Sequence, residues 1–291
     1  MFQSDLFDGK HVLVTGGGTG LGFAMAQRLA DLGARLTLWG RRQAVLERAA
    51  DAIAGRSGRP VQVHSVDIRD PAAIAAAVDR TVADAPLDGL INNAAANFIA
   101  PTESLSPNGF NAIAQTVFHG TFHVTQCCAK HWLTAGRPAS VVSILTTWVR
   151  TGSPFVVPSA MSKAALAAMT RSLALEWGPR GLRFNAIAPG PFPTKGAWAR
   201  LMPGADEQAE AKAKAAIPMR RYGRHEELAN LAAFLLSEQV GYLNGEIIAI
   251  DGGQHLNNAG AFTQLWDVTP EQWQQMREAI RAADKAETSD Q

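Results

Sequence analysis

The stretch Thr15-Gly16-Gly17-Gly18-Thr19-Gly20-Leu21-Gly22 follows a β-branched run, His11 to Thr15, and opens an Ala/Leu-rich run, Leu21 to Leu32. Glycines at 16, 20 and 22 spell TGxxxGxG. A chain that turns here from strand into helix keeps side chains away from three places: the tight turn, the close approach to a pyrophosphate, and the packing of the following helix, whose first amides face the anion. Thr15, Gly16, Gly18, Thr19, Gly20, Leu21 and Gly22 are thus the expected phosphate-binding turn of a dinucleotide site.

Outward from that turn, short β-branched runs alternate with longer helical patterns. The runs are His11 to Thr15, Arg35 to Trp39, Val61 to Val66, Gly89 to Asn92, Ser140 to Ile144, Arg183 to Ile187 and Ile247 to Ile250. Between them, Leu21 to Leu32, Arg42 to Ala54, Asn108 to Leu133 and Ala160 to Trp177 carry apolar residues at helical spacing. The alternation predicts an α/β chain, a Rossmann-type doubly wound sheet of seven parallel strands covered on both faces. One domain over residues 1–255 is expected, with a C-terminal extension over 256–291. The stretch from about residue 190 to 216, rich in Gly, Pro and Ala, falls after the sixth strand, where ligands sit in such sheets, and is expected to act as a lid.

The 291 residues are 47% hydrophobic, with 27 Lys and Arg against 26 Asp and Glu and no long run of one charge. That balance leaves no electrostatic footprint for nucleic acid and favours a small-molecule partner. No apolar window reaches membrane-spanning length and the start MFQSDLFDGK has no leader-like pattern, so a cytoplasmic location without membrane contact is expected. Cys127 and Cys128 are adjacent within a helical pattern and read as buried, reduced thiols.

The second strand ends in Trp39-Gly40-Arg41-Arg42, where an NAD site would place an acid on the ribose hydroxyls. No carboxylate stands there to repel a 2′-phosphate, and Arg41 is placed to clamp one, so NADP(H) is the expected cofactor.

With Asp67-Ile68 after the third strand, Asn92-Asn93-Ala94-Ala95 after the fourth and Pro189-Gly190 after the sixth, the chain resembles the short-chain dehydrogenase/reductase superfamily over essentially its whole length. The resemblance implies that Asp67 and Ile68 meet the adenine and that Asn93, Ala94 and Ala95 line the cofactor. It also implies that the stretch from Pro189 and Gly190 through Phe192 to Thr194 holds the nicotinamide carboxamide.

The superfamily's tyrosine is absent: Val157-Pro158-Ser159-Ala160-Met161-Ser162-Lys163 offers SxxxK in place of YxxxK. Thr146 stands where the family has its serine and Val117 where it has its asparagine. Ser159 and Lys163, i and i+4, project from one helix face. A serine hydroxyl donates a hydrogen bond but is a poor acid. The stretches NNAAANFIAPTESLS (92–106), GSPFVVPSAMSK (152–163), PGPFPTKGAWARL (189–201) and GAFTQLWDVTPEQW (260–273) resemble the 2,4-dienoyl-CoA reductases of this superfamily, whose mitochondrial members also have SxxxK.

That resemblance implies an NADP(H)-dependent reduction of an unsaturated acyl-CoA. Asn97 would orient the substrate, Ser159 would donate to the developing oxyanion and Lys163 would fix the ribose and nicotinamide. Trp148 occupies the position of a family tyrosine, where its indole N–H can donate but cannot exchange a proton. A homotetramer is expected, and Lys195 and Arg200 of the lid are candidate partners for CoA phosphates. The alternatives are a short-chain dehydrogenase acting on another carbonyl or alcohol, with Thr146 and a water replacing the tyrosine, and a catalytically silent NADP(H)-binding protein. No metal site is expected.

Overall fold

A computed structural model describes residues 2–194, 206–257, 265 and 267–278. Two compact units result, Met1–His255 and Leu256–Gln291. Within the second, Trp273 N donates to Thr269 O at 2.9 Å as a helical turn begins.

The first unit holds seven strands: β1 (His11–Thr15), β2 (Arg35–Gly40), β3 (Val61–Ser65), β4 (Gly89–Asn92), β5 (Ala139–Ile144), β6 (Leu182–Pro189) and β7 (Ile247–Ile250). They form one sheet in the order β3-β2-β1-β4-β5-β6-β7, and every pairing is parallel. The expected doubly wound sheet is present, with β6 longer than its β-branched run and β3 ending at Ser65, one residue short of Val66.

Alternate side chains enter two cores. Val12, Val14, Leu36 and Leu38 pack with α1 (Gly20–Asp31), α2 (Gln43–Ser57) and a late helix, His225–Leu236. Leu13, Trp39, Leu90 and Val141 pack with α3 (Pro71–Asp84) and with helices that precede and follow β5. Burial of both faces explains why the strands read as nearly continuous apolar runs. The order reverses between β1 and β4, so the crevice outside Thr15 and Asn92 is the expected ligand position.

The single helix expected over Asn108 to Leu133 is three segments: α4 (Pro107–Ala114), a π-turn (Gln115–Gly120) and α5 (Thr121–Ala135). The interruption ends where a Cβ on Gly120 would lie 2.6 Å from the Ile68 carbonyl oxygen. The widened turn carries the helix past the loop after β3 that bears Ile68. After β5 come α6 (Trp148–Thr151) and α7 (Val157–Trp177). The region expected as a plain lid loop contains α8 (Glu207–Ala215), capped by Asp206 accepting from Ala209 N at 2.8 Å. Lys195 and Arg200 lie outside the described residues. The helix over His225–Leu236 is α9. Both cysteines are free, Cys128 buried as expected and Cys127 only half-buried.

Candidate active site

Thr15 is the hub of the cofactor end. Its Oγ1 donates to Ile91 O at 3.3 Å and accepts from Asn93 N at 3.0 Å and Ala94 N at 3.1 Å, locking β1 to the turn after β4. Asn93 Nδ2 donates to Thr15 O at 3.1 Å and Gly16 O at 3.2 Å, so the amide of this predicted cofactor residue is spent on holding the glycine turn. The turn is as tight as its composition demands: a Cβ on Gly22 would sit 2.2 Å from the Gly16 carbonyl oxygen, and Gly16 itself has φ +66°. Thr19 caps α1 without a side-chain hydrogen bond, and no acidic residue stands in the first turn. The first amides are therefore left to an anion. A Cβ on Gly20 would lie 3.2 Å from Thr194 Cγ2, so the residues after β6 reach over this turn. These features fit a dinucleotide pyrophosphate.

A cavity of about 480 Å³ lies between Arg41 and Arg69, the loop bearing Asn97 and Phe98, and Ile113 and Thr116 of α4 and the π-turn. Arg69 was not foreseen. Its Nε donates to Asp67 Oδ1 at 2.9 Å and Oδ2 at 3.0 Å, and its Nη2 also reaches Oδ2. Its one signal in the chain is an arginine two residues after Asp67. The Arg69 hydrogen bond holds the Asp67 carboxyl below its ordinary value, with smaller help from the Arg41 charge. Asp67, expected at the adenine, is thus already engaged, and its charge is neutralised beside Arg41. Ile68 is 6% exposed, its side chain part of the apolar core and its carbonyl oxygen packed against Gly120.

The reacting end is built on β5, α6 and α7. Ser159 and Lys163 are 4% and 6% exposed, one turn apart on α7. Lys163 Nζ donates to the Ile144 carbonyl at the end of β5. Burial pushes its ammonium down to about 8. The Ser159 hydroxyl has no partner among the described residues, whereas Ser162 is tied to Pro158 O at 2.7 Å. Thr146, on the segment joining β5 to α6, and Trp148, the first residue of α6, are half-buried. Val117, at the family asparagine position, is 0% exposed in an apolar cluster with Leu166 and Ala167 and offers no polar group.

Asn97 lines the cavity, with Oδ1 accepting from Phe98 N at 2.9 Å. Gly190, after Pro189, has its N–H on Ile250 O at 3.0 Å and no room for a Cβ, which would fall 2.5 Å from Asp251 Cβ. Phe192 is 7% exposed with its ring against Gly223, so only its backbone is available to a carboxamide. Among the described residues no cluster of three or more His, Cys, Asp or Glu could hold a metal, and no helix is long and apolar enough to cross a membrane.

A seven-stranded parallel sheet with a glycine turn at its switch point and a buried lysine on the helix after β5 defines a short-chain dehydrogenase/reductase, and the chain belongs to that family. The family model described as enoyl-(acyl carrier protein) reductase matches residues 16–255. Within the family, the chain is 44% identical to a Caenorhabditis elegans protein named as a probable 2,4-dienoyl-CoA reductase producing the (3E)-enoyl-CoA, covering 94% of this chain and 90% of that one. It is 41% identical to a Bacillus subtilis (strain 168) protein named as a probable 2,4-dienoyl-CoA reductase producing the (2E)-enoyl-CoA, covering 85% and 97%. Among solved structures, a gluconate 5-dehydrogenase from Burkholderia cenocepacia in complex with NADP and tartrate superposes with a TM-score of 0.80 at 27% identity, covering 86% of this chain and 97% of that one.

Proposed function

We propose that this oxidoreductase uses NADP(H) to reduce a 2,4-dienoyl-CoA. The observation that carries the reading is Ser159: a residue only 4% exposed whose hydroxyl makes no hydrogen bond among the described residues and is left open, one helical turn from Lys163, where an ordinary carbonyl reductase needs an acid. Both relatives described above are named for dienoyl-CoA chemistry.

When bound, NADPH supplies a hydride. In a dienoyl thioester the hydride enters at the δ-carbon, and the electrons move through the conjugated system onto the thioester oxygen as a dienolate. The chain then has to stabilise an oxyanion, and no alkoxide needs an acid. The Ser159 O–H donates to that oxygen, and Asn97 orients the acyl group from the cavity wall. Lys163 leaves the Ile144 carbonyl for the ribose and adds positive potential. Trp148 is a second donor that cannot exchange a proton. A water then delivers a proton to a carbon of the dienolate, leaving as hydroxide, and the thioester carbonyl re-forms. Arg41 meets the 2′-phosphate, and Arg69, in the same cavity, is a second cation for phosphates of the cofactor or of CoA.

The two relatives are named for different product double bonds, so which carbon takes the proton separates the subfamilies. A homotetramer belongs to the same proposal, supported by exposed Phe118, Phe122, Met161 and Leu175 on the π-turn, α5 and α7. NADPH oxidation measured with 2,4-dienoyl-CoA, 2-enoyl-CoA and 3-ketoacyl-CoA tests the reading. Turnover of the dienoyl substrate above the other two supports it, and turnover of the 3-ketoacyl substrate alone overturns it in favour of a carbonyl reductase.

A further inference from the structure

Phe155 stands in the loop between α6 and α7 with φ 64°, a left-handed backbone that a bulky L side chain adopts only under constraint. Arg220 is the one other described non-glycine residue with positive φ. Burial does not compensate the strain, because the Phe155 side chain is 57% exposed. What the conformation does hold is a contact: the Phe155 carbonyl accepts from Ala100 N at 2.9 Å.

That hydrogen bond joins the loop that carries Asn97 to the loop that enters the helix of Ser159 and Lys163. Ala100 ends the run that begins with Asn97 and Phe98 on the cavity wall, and its neighbour Ile99 is 45% exposed. Phe155 is followed by Val156, the 3% exposed N-cap of the helix that carries Ser159 and Lys163. Two exposed apolar residues, Ile99 and Phe155, thereby flank the hydrogen bond between these loops. Strained backbone of this kind persists where the surrounding structure fixes it, and it clusters at active sites and ligand clamps.

We propose that Ile99 and Phe155 form an apolar clamp for the alkyl chain of the acyl thioester and set its preferred length. The inference rests on the acyl-thioester part of the function proposed above. With the thioester oxygen held at Ser159, the chain beyond the conjugated carbons leaves the polar end of the site. An alkyl chain covered by a phenyl ring and a branched side chain loses its water-exposed surface.

The test is calorimetric binding of butyryl-CoA and decanoyl-CoA to the protein saturated with NADP+, in the parent, in Phe155→Gly, which relaxes the backbone, and in Phe155→Asn, which tolerates the same backbone without the apolar ring. The parent should bind decanoyl-CoA more tightly than butyryl-CoA. Both variants should lose about tenfold in decanoyl-CoA affinity while butyryl-CoA and NADP+ bind as before, and Phe155→Gly should melt no lower than the parent. Equal affinity for the two chain lengths in the parent overturns the clamp. So does an equal loss for both ligands, or a loss in Phe155→Gly that Phe155→Asn does not share. Dienoyl-CoA turnover by the parent is scored separately: if it is absent while the decanoyl-CoA effect holds, the clamp stands and the dienoyl reading falls.

Discussion

Lys163 donates its ammonium to the main-chain carbonyl of Ile144, crossing from the helix of the reacting group to the carboxyl end of the fifth strand. The contact holds a charge inside the protein at a strand end that faces the cofactor crevice. Burial disfavours that charge and brings the ammonium down to about 8. The kcat/KM for NADPH reports ionisations of the free enzyme, so it should fall on the alkaline side with an apparent pKa near 8. Lys163→Arg, which stays charged, should lose this limb. A profile flat well above that pH would remove Lys163 as the controlling group.

Arg41 and Asp67 set the cofactor prediction. The Asp67 carboxylate is neutralised by Arg69, so it does not repel a phosphate placed beside Arg41. NADPH should bind more tightly than NADH. Arg41→Ala should remove most of the difference, about 1.5–3 kcal/mol for a hydrogen bond to a charged group. Arg69→Ala should also weaken NADPH, because it frees the Asp67 charge. Equal dissociation constants for the two cofactors in the parent would sink this account.

The sheet was legible because burial on both faces writes itself into runs such as Val12 to Val14 and Val141 to Ile144. The glycine turn was legible because Gly22 leaves no room for another residue. Of the site, the sequence could place Ser159 and Lys163 one turn apart on the same helix, because i and i+4 spacing fixes that geometry. The break in the Asn108 to Leu133 helix was not, since it follows from the contact of Gly120 with Ile68, distant in sequence. Arg69 escaped for a related reason: a surface arginine after a strand reads as solvated until the fold sets it beside Arg41 across the cavity. The engagement of Asn93 by Thr15 and Gly16 is likewise a pairing between distant turns.

His11 supplies a stability prediction away from the site. It is 1% exposed, with Nδ1 donating to Ala85 O at 3.1 Å and Nε2 2.8 Å from Thr37 Oγ1. Burial pushes its imidazole below 6.5, against weaker opposition from the Ala85 hydrogen bond. The unfolded chain therefore binds a proton more readily than the folded one. Stability is full above pH 6.5 and declines as pH falls from there toward the lower folded-state value. Each unit of depression corresponds to about 1.4 kcal/mol. Melting temperatures at neutral and mildly acidic pH should drop less on acidification in His11→Gln than in the parent, with His64 common to both. Equal drops would assign the acid sensitivity elsewhere.

Ser159 decides between the two chemistries open to this site. If the reaction is dienoyl-thioester reduction, the site is shaped for a short donor, and Ser159→Ala should lower kcat by roughly 10²–10³-fold, as removal of one oxyanion donor does. Ser159→Tyr should not improve it, because a phenol at a position only 4% exposed must displace its neighbours, and no alkoxide awaits its proton. If the chain is a carbonyl reductase without its acid, the same substitution rebuilds a tyrosine one turn from Lys163 and should raise turnover of ketones or 3-ketoacyl thioesters. One substitution measured on two substrates thus gives opposite signs. A gain in ketone reduction by Ser159→Tyr, with no dienoyl-CoA turnover in the parent, would leave the fold and the cofactor site standing and remove the dienoyl-CoA reading.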